Sequence, residues 1–268
     1  MRSWTVGSTD IIRVQDPGFE LILPQDDATV AALRRSPWLQ PHFVDNEWSL
    51  RVGSSATVIR AGGAVVLVDP FLAFGDGDST GPRLQALRDA GVEPDDVDVV
   101  VNTHVDGLGV NVLLDGTPTF PRARYLVPSA ELDAMRRGEH GDAENGRALL
   151  ELHDAGTVQG SVGNEVLAAG VELEDAPGHT WGHHVVRVDG GDHTAVIVGH
   201  LFLHPAQIAD PSVDIGDLDP ERLVTTRQSI LERCAREDEL LLGPLFAPPG
   251  GGRVRRDDTG YRLEVDAT

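Results

Sequence analysis

Six histidines, His104, His179, His183, His184, His200 and His204, stand where a run of strand-forming residues gives way to a loop. Loops at strand ends can converge on one pocket above a rigid scaffold, so side chains there are well placed for chemistry. Imidazole offers two kinds: it ligates transition metals, and it carries protons near neutral pH. Taken singly, each of these residues is more simply a hydrogen-bonded loop histidine. Their neighbours shift that balance. His104 sits in Thr103-His104-Val105-Asp106, where Asp106 adds a carboxylate that can ligate a metal or serve as a base. His179 and His183 share Pro177-Gly178-His179-Thr180-Trp181-Gly182-His183, and His200 and His204 share Gly199-His200-Leu201-Phe202-Leu203-His204. His184 and His204 read as extra imidazoles near the site, usable as general acid or base or simply facing solvent. Trp181 and Phe202 either line an apolar pocket or pack in the core. His42, His140, His153 and His193 lie in polar stretches and take no assignment.

The elements that would position these groups are readable from periodicity and turn chemistry. Residues 56–59 and 64–68 flank Ala61-Gly62-Gly63 and predict a β-hairpin. Gly81-Pro82 opens a helix closed by Gly91, with Leu84 and Leu87 toward the core. The run 97–101 predicts a buried strand feeding the His104 loop. Residues 124–128 predict a strand, followed by a helix from Ser129 to near Gly138. Val171-Glu172-Leu173-Glu174 alternates like a half-buried strand, and 184–188 with 194–198 predict a second hairpin around Gly190-Gly191. Asp219-Pro220-Glu221 starts a helix with an apolar stripe of Leu223, Val224, Ile230, Leu231 and Cys234, and 240–242 predict a last core strand. Residues 1–45 read as an irregular lead-in with one short helix near 28–35, and 46–268 as a single domain. Strand groups followed by helices, with glycine hairpins that require antiparallel neighbours, point to an α/β protein of two packed sheets with helices outside.

Composition bounds the partners. The 268 residues carry a formal net charge of −21, and all 22 cationic residues are arginine. Such a field repels phosphate backbones and anionic lipid, which argues against nucleic acid and membrane surfaces. An apolar share of 40% is that of a folded chain, without the long apolar run of a membrane span. No apolar segment follows Arg2, so no secretory signal is expected and the cytoplasm is the plain reading. Cys234, the one cysteine, reads as a buried thiol on a helix.

The order of the three histidine segments, above all Pro-Gly-His-Thr-x-Gly-His, resembles the metallo-β-lactamase superfamily, and within it the lactonase-like hydrolases. The correspondence runs from about Ser54 to Leu263. It implies an αββα sandwich with a site at one edge of the sheets, one or two metal ions, usually zinc, and a small-molecule substrate. The family motif His-x-His-x-Asp-His is altered here. Anchored on the following glycine and Asn111, Asp106 falls on the family's aspartate, Gly107 replaces the next histidine, and the second histidine is deleted. Anchored on His104, Asp106 takes the second histidine's place. The aspartate that usually bridges two metals is His200, and Leu245 stands where the last histidine would precede Phe246. Asp69 falls on a family aspartate behind the ligands, and either orients His104 or caps a turn.

The implied ligand set is therefore His104, Asp106, His179 and His200, with Asp106, His184 and His204 as candidate acid–base groups. A neutral imidazole does not bridge two metals as a carboxylate does, and leucine has no donor, so fewer than two ions are expected. One tetrahedral zinc ion, or no metal at all, remain as readings; without Asp106, three histidines and a water would resemble a hydrolytic zinc site. The expected function is hydrolysis of a small ester, lactone or thioester. The alternatives are a metal-independent lyase or cyclisation step in the same pocket, and a non-catalytic small-molecule-binding protein. Nothing in the sequence specifies the oligomeric state.

Overall fold

The structure, a computed structural model, describes residues 1–71, 80–105, 117–139, 143–213, 217–258 and 260–265. Two seven-stranded sheets face one another. The first follows chain order: β1 (Arg2–Val6), β2 (Thr9–Leu23), β3 (Leu50–Ala61), β4 (Ala64–Val68), β5 (Val99–Val101), β6 (Arg124–Pro128) and β7 (Val158–Ser161). Strands β1 to β4 pair antiparallel and β4 to β7 parallel. The change follows from the connections. Gly62-Gly63 closes a tight β3–β4 hairpin, whereas parallel neighbours need a long crossover. A short helix α1 (Asp27–Leu33), capped by Asp26 Oδ1 accepting from the Thr29 N–H at 2.7 Å, precedes β3; α2 (Thr80–Asp89) precedes β5; α3 (Ser129–Arg136) and α4 (Ala143–Asp154) lie between β6 and β7.

The second sheet contains β8 (Val166–Ala168), β9 (Val171–Asp175), β10 (His184–Asp189), β11 (Thr194–Ile197), β12 (Leu240–Leu242), β13 (Gly251–Asp257) and β14 (Gly260–Glu264). Only β11–β12 is parallel among its pairs, and α5 (Ala206–Ala209) and α6 (Pro220–Glu237) fill that crossover. Helix α6 starts because Asp219 accepts from the Arg222 N–H at 3.1 Å and Pro220 occupies the first turn.

Three apolar layers hold this together. Ile59, Val66, Val99 and Leu126 of the first sheet pack on Leu173, Val186, Ile197 and Leu240 of the second. Leu87, Leu132, Met135 and Leu149 cover the outer face of the first sheet, and Leu223, Ile230, Leu231 and Cys234 that of the second. The expected αββα sandwich is the observed architecture. Burial pushes the Cys234 thiol well above its ordinary pKa, so it packs as an inert side chain. Among the described residues no helix is long and apolar enough to cross a membrane.

One expectation is overturned. The first 45 residues are not an irregular lead-in: β1 and β2 form a hairpin, and β2 pairs with β3 from Asp10 to Leu23. The apolar–polar alternation that would have revealed β2 is broken because its buried face includes charged residues. Asp16 is 2% exposed and receives a bidentate bond from Arg83 of α2, at 3.0 and 2.8 Å. Arg83 is thus buried on α2 beside Leu87, while Leu84 is only half-buried.

Candidate metal site

Three of the four residues read as metal ligands come together. One ring nitrogen from each of His104, His179 and His200 lies within 4.8 Å of the others, with ring centroids 5.1, 4.2 and 5.5 Å apart. The fourth, Asp106, lies outside the described residues. His104 leaves β5 of the first sheet; His179 sits in the loop joining β9 to β10; His200 is in the turn after β11. The site therefore straddles the two sheets at one end. A backbone hydrogen bond from the His184 N–H to the Thr103 carbonyl, 2.8 Å, ties those ends together.

Each imidazole is held from behind. Asp69 accepts from the Thr103 N–H and from Thr103 Oγ1, both at 2.8 Å. With its hydroxyl proton on Asp69, Thr103 Oγ1 accepts from His104 Nδ1 at 3.0 Å, which leaves the His104 lone pair on Nε2. Asp69 thus orients His104 through Thr103. His179 Nδ1 lies 2.6 Å from Asp217 Oδ1, a carboxylate with no solvent exposure whose other oxygen is 3.9 Å from the buried guanidinium of Arg227. That bond places the His179 proton on Nδ1; its Nε2 is buried without a hydrogen-bond partner. His200 is held by its backbone, whose N–H donates to His183 Nε2 at 3.0 Å. His183 is fully buried. Burial first, and the surrounding imidazoles after it, push its pKa well below the ordinary 6.5, so it is a neutral acceptor.

Two glycines make this packing feasible. Gly199 has φ +53, and a Cβ there would stand 2.5 Å from Thr103 Oγ1 and 2.7 Å from His183 Nε2. Gly178, at φ +134, lies against α6, where a Cβ would meet the Leu223 backbone at 2.5 Å. Both conformations favour residues without a Cβ, and neither site has room for one.

The remaining candidates lie apart from the three-histidine cluster. His184 is buried on β10 beside its cross-strand neighbour Asp175, with Nδ1 3.1 Å from Asp175 Oδ1; burial pushes its pKa down and Asp175 opposes it. With Ser161, Trp181 and His183 it lines a cleft of about 320 Å³. His204 has both ring nitrogens engaged by backbone. Nδ1 accepts from the Ala206 N–H at 3.0 Å, and Nε2 donates to the Phe43 carbonyl at 2.8 Å. Burial lowers its pKa to about 4, so at neutral pH it is an uncharged strut. Phe202 belongs to the core, whereas Trp181 is 43% exposed. Leu245, which the resemblance sets where a last histidine would stand, packs at 7% exposure and offers only its backbone carbonyl, to the Gly53 N–H at 2.9 Å.

Sequence reasoning missed Asp217 and Arg227. Asp217 stands two residues before the Asp219 cap of α6, where an acid reads as one more helix-start residue. Arg227, which takes no assignment in the sequence, falls on the apolar stripe of α6 between Leu223 and Ile230 and is fully buried, donating to the carbonyls of Leu201, Pro211 and Val213.

The donor set fits one transition-metal ion. Three imidazoles, with the outer nitrogens of His104 and His179 engaged and the His179 Nε2 buried in the cluster, are the ligands a single zinc ion takes. Three points of contact is also the number that leaves a position for water.

A family model described as metallo-beta-lactamase superfamily matches residues 50–107, from β3 to just past His104. No curated protein matches the chain. Among solved structures it is similar to AidC, described as a dizinc quorum-quenching lactonase in complex with a product, at 17% identity and TM-score 0.81, covering 100% of this chain and 97% of that one. It is also similar to the hydrolase AbOPH in the beta lactamase superfamily, at 20% identity and TM-score 0.80, covering 99% and 97%. A probable metal-dependent hydrolase from Staphylococcus aureus follows at 15% identity and TM-score 0.70, covering 99% and 100%. At such identities the likeness is one of fold. The chain thus has the fold of these hydrolases, and the segment that matches the metallo-beta-lactamase superfamily model carries β3 through His104.

Proposed function

We propose that this protein hydrolyses a small ester, lactone or thioester at a site that holds at most one metal ion. The observation that carries the reading is the convergence of His104, His179 and His200 within 4.8 Å, with the His179 Nε2 buried and unpartnered among them. A single ion is favoured over a pair because Leu245 has no donor and His200 replaces the bridging carboxylate that the resemblance implies. When bound, zinc lowers the pKa of its water toward neutrality and polarises the scissile carbonyl. The chain's own residues supply the rest. Asp217 and the Asp69–Thr103 pair fix which nitrogen of His179 and His104 carries the proton, so both present a lone pair. His183 holds the His200 backbone and, being neutral, adds no charge to a cationic site. Asp106, two residues beyond His104, is the carboxylate proposed to move the proton of the attacking water. The lactonase named among the structural relatives is a reason to begin with lactones.

The test is elemental analysis of the purified protein together with turnover assays on a lactone, a thioester and an aryl ester, before and after chelation. We expect fewer than two ions per chain, loss of activity on chelation, recovery with zinc, and loss of the ion in His179→Ala. Two fully occupied ions would refute the single-ion site. Turnover that survives complete metal removal would replace hydrolysis at a metal with the metal-independent reading.

A further inference from the structure

A second cavity, of about 570 Å³, lies beside the edge of the first sheet and shares no residue with the histidine cluster; Arg2, Arg13, Gln15, His42, Pro248 and Pro249 line it. Its charge is opposite to that of the molecule. In a chain with 43 acidic and 22 cationic side chains, two arginines and a histidine line it, and among the described residues no acid does.

The register of the sheet makes this more than a surface coincidence. Arg2 of β1 and Arg13 of β2 are direct cross-strand partners, so their side chains leave the same face at adjacent positions, and Gln15 is the next residue of β2 on that face. Like charges directly opposite destabilise a strand pair. Arg13 is also 6% exposed, and its bonds go to neutral groups, Gln15 Oε1 at 2.5 Å and the Phe246 carbonyl at 2.6 Å. Its Nε is buried without a partner, as is Arg2 Nη1, and among the described residues no carboxylate forms an ion pair with either. Burial lowers the Arg13 pKa to about 10, with no neighbouring acid raising it, so the group stays cationic at neutral pH. Two other arginines of low exposure do have counter-charges: Arg83 pairs with Asp16, and Arg233 with Glu174 and Glu239. A buried charge without a counter-charge is costly and is ordinarily paired.

We propose that this cavity binds a small organic anion, with a carboxylate or phosphate group seated between Arg2 and Arg13. Such an oxyanion would face the Arg2 and Arg13 guanidiniums, relieve the cross-strand repulsion and supply the missing counter-charge. The volume suits a metabolite-sized molecule. The two prolines form an apolar wall for the rest of it, and the His42 ring is a further donor at the rim.

Isothermal titration of the whole chain with inorganic phosphate and, separately, with succinate tests this, in low-chloride buffer containing phenanthroline, a neutral chelator that keeps the histidine cluster metal-free. We expect one saturable site per chain for at least one probe, with a dissociation constant below about 1 mM. Phosphate alone or succinate alone identifies the oxyanion. Arg2→Gln, at a half-buried edge position, should weaken that binding at least tenfold and abolish the rise in melting temperature that the probe gives the wild type. Arg13→Gln should do the same wherever it folds. Failure of both probes to bind at about 10 mM, or unchanged binding in Arg2→Gln, overturns the proposal.

Discussion

Asp217 is the side chain whose removal separates a built metal site from a chance meeting of histidines. Its Oδ1 is 2.6 Å from His179 Nδ1, it has no solvent exposure, and its other oxygen faces Arg227 at 3.9 Å. Carboxylates that hold the outer nitrogen of a ligating histidine are worth 10–100-fold in metal affinity, or roughly 1.4–2.7 kcal/mol. Asp217→Asn keeps an acceptor for the Nδ1 proton but loses the charge, so its loss of zinc affinity should lie near tenfold. Asp217→Ala leaves that proton buried without an acceptor and the ring free to turn, which predicts a loss near 100-fold. The fold should survive either change. A lost hydrogen bond to a charged group costs about 1.5–3 kcal/mol against a total of about 5–15, and Arg227 keeps its bonds to Leu201, Pro211 and Val213. Zinc affinity is measured by competition with a chromophoric chelator, alongside a thermal melt of each variant. Asp175→Ala, which alters a carboxylate near His184 and outside the cluster, is the control and should bind zinc as the wild type does. Folded Asp217→Ala protein with wild-type zinc affinity would refute the assignment of His179 as a ligand held by Asp217.

Two further outcomes follow from the geometry. Gly199→Ala forces a Cβ into a left-handed position 2.5 Å from Thr103 Oγ1; the conformation costs about 1–2 kcal/mol and the overlap about 1–3 more, so the variant should lose about 2–5 kcal/mol in urea unfolding, and a loss under about 1 would contradict the packing described. His204 has its folded pKa lowered from 6.5 to about 4, so between those values the unfolded state binds the proton first and stability falls as pH falls; wild type should lose about 2 kcal/mol between pH 7 and pH 5 that His204→Gln does not, and parallel pH profiles would show that His204 is not the neutral strut.

The parts of the fold that were legible in the sequence are those where one local signal dominates. The β3–β4 and β10–β11 hairpins announce themselves through paired glycines between β-branched runs, and α6 through Asp219-Pro220 and its apolar stripe. Strand β2 was not legible, because both of its faces are buried and each mixes apolar with charged residues: Ile11 with Arg13 on one, Val14 with Asp16 on the other, and the partners Phe246 and Arg83 are far away in the chain. Hydropathy reads a buried ion pair as surface. The same limit hid Asp217 and Arg227: a charged residue gives no sign in sequence that its counterpart is buried with it. Cysteine was the easy case, since a lone thiol at an apolar helix position packs as expected. The histidines were legible as a set through the order of their motifs. What each one does was decided by the partner on its other nitrogen. His204 and His200 are four residues apart in one segment, yet backbone groups engage both nitrogens of the first while the ring of the second joins the cluster.

The support around the three imidazoles bears on whether the site is a remnant. A cluster left over from a lost metal centre needs no outer structure. Here the outer structure is extensive and mostly buried: Asp69 acts through Thr103 on His104, Asp217 acts on His179, His183 acts on the His200 backbone, and Gly199 leaves the space in which Thr103 and His183 meet. Several of these arrangements are unfavourable taken alone. Asp217 is a carboxylate without solvent, His183 is an imidazole forced to stay neutral, and Asp69 and Gly199 both have positive φ. The hydrophobic layers of the sandwich do not require any of them, since Ile, Val and Leu fill the space between the sheets elsewhere. What they have in common is that each fixes the position or the protonated nitrogen of one imidazole. That is the arrangement expected of a site that holds something between those rings, and the single ion proposed at the three histidines accounts for it.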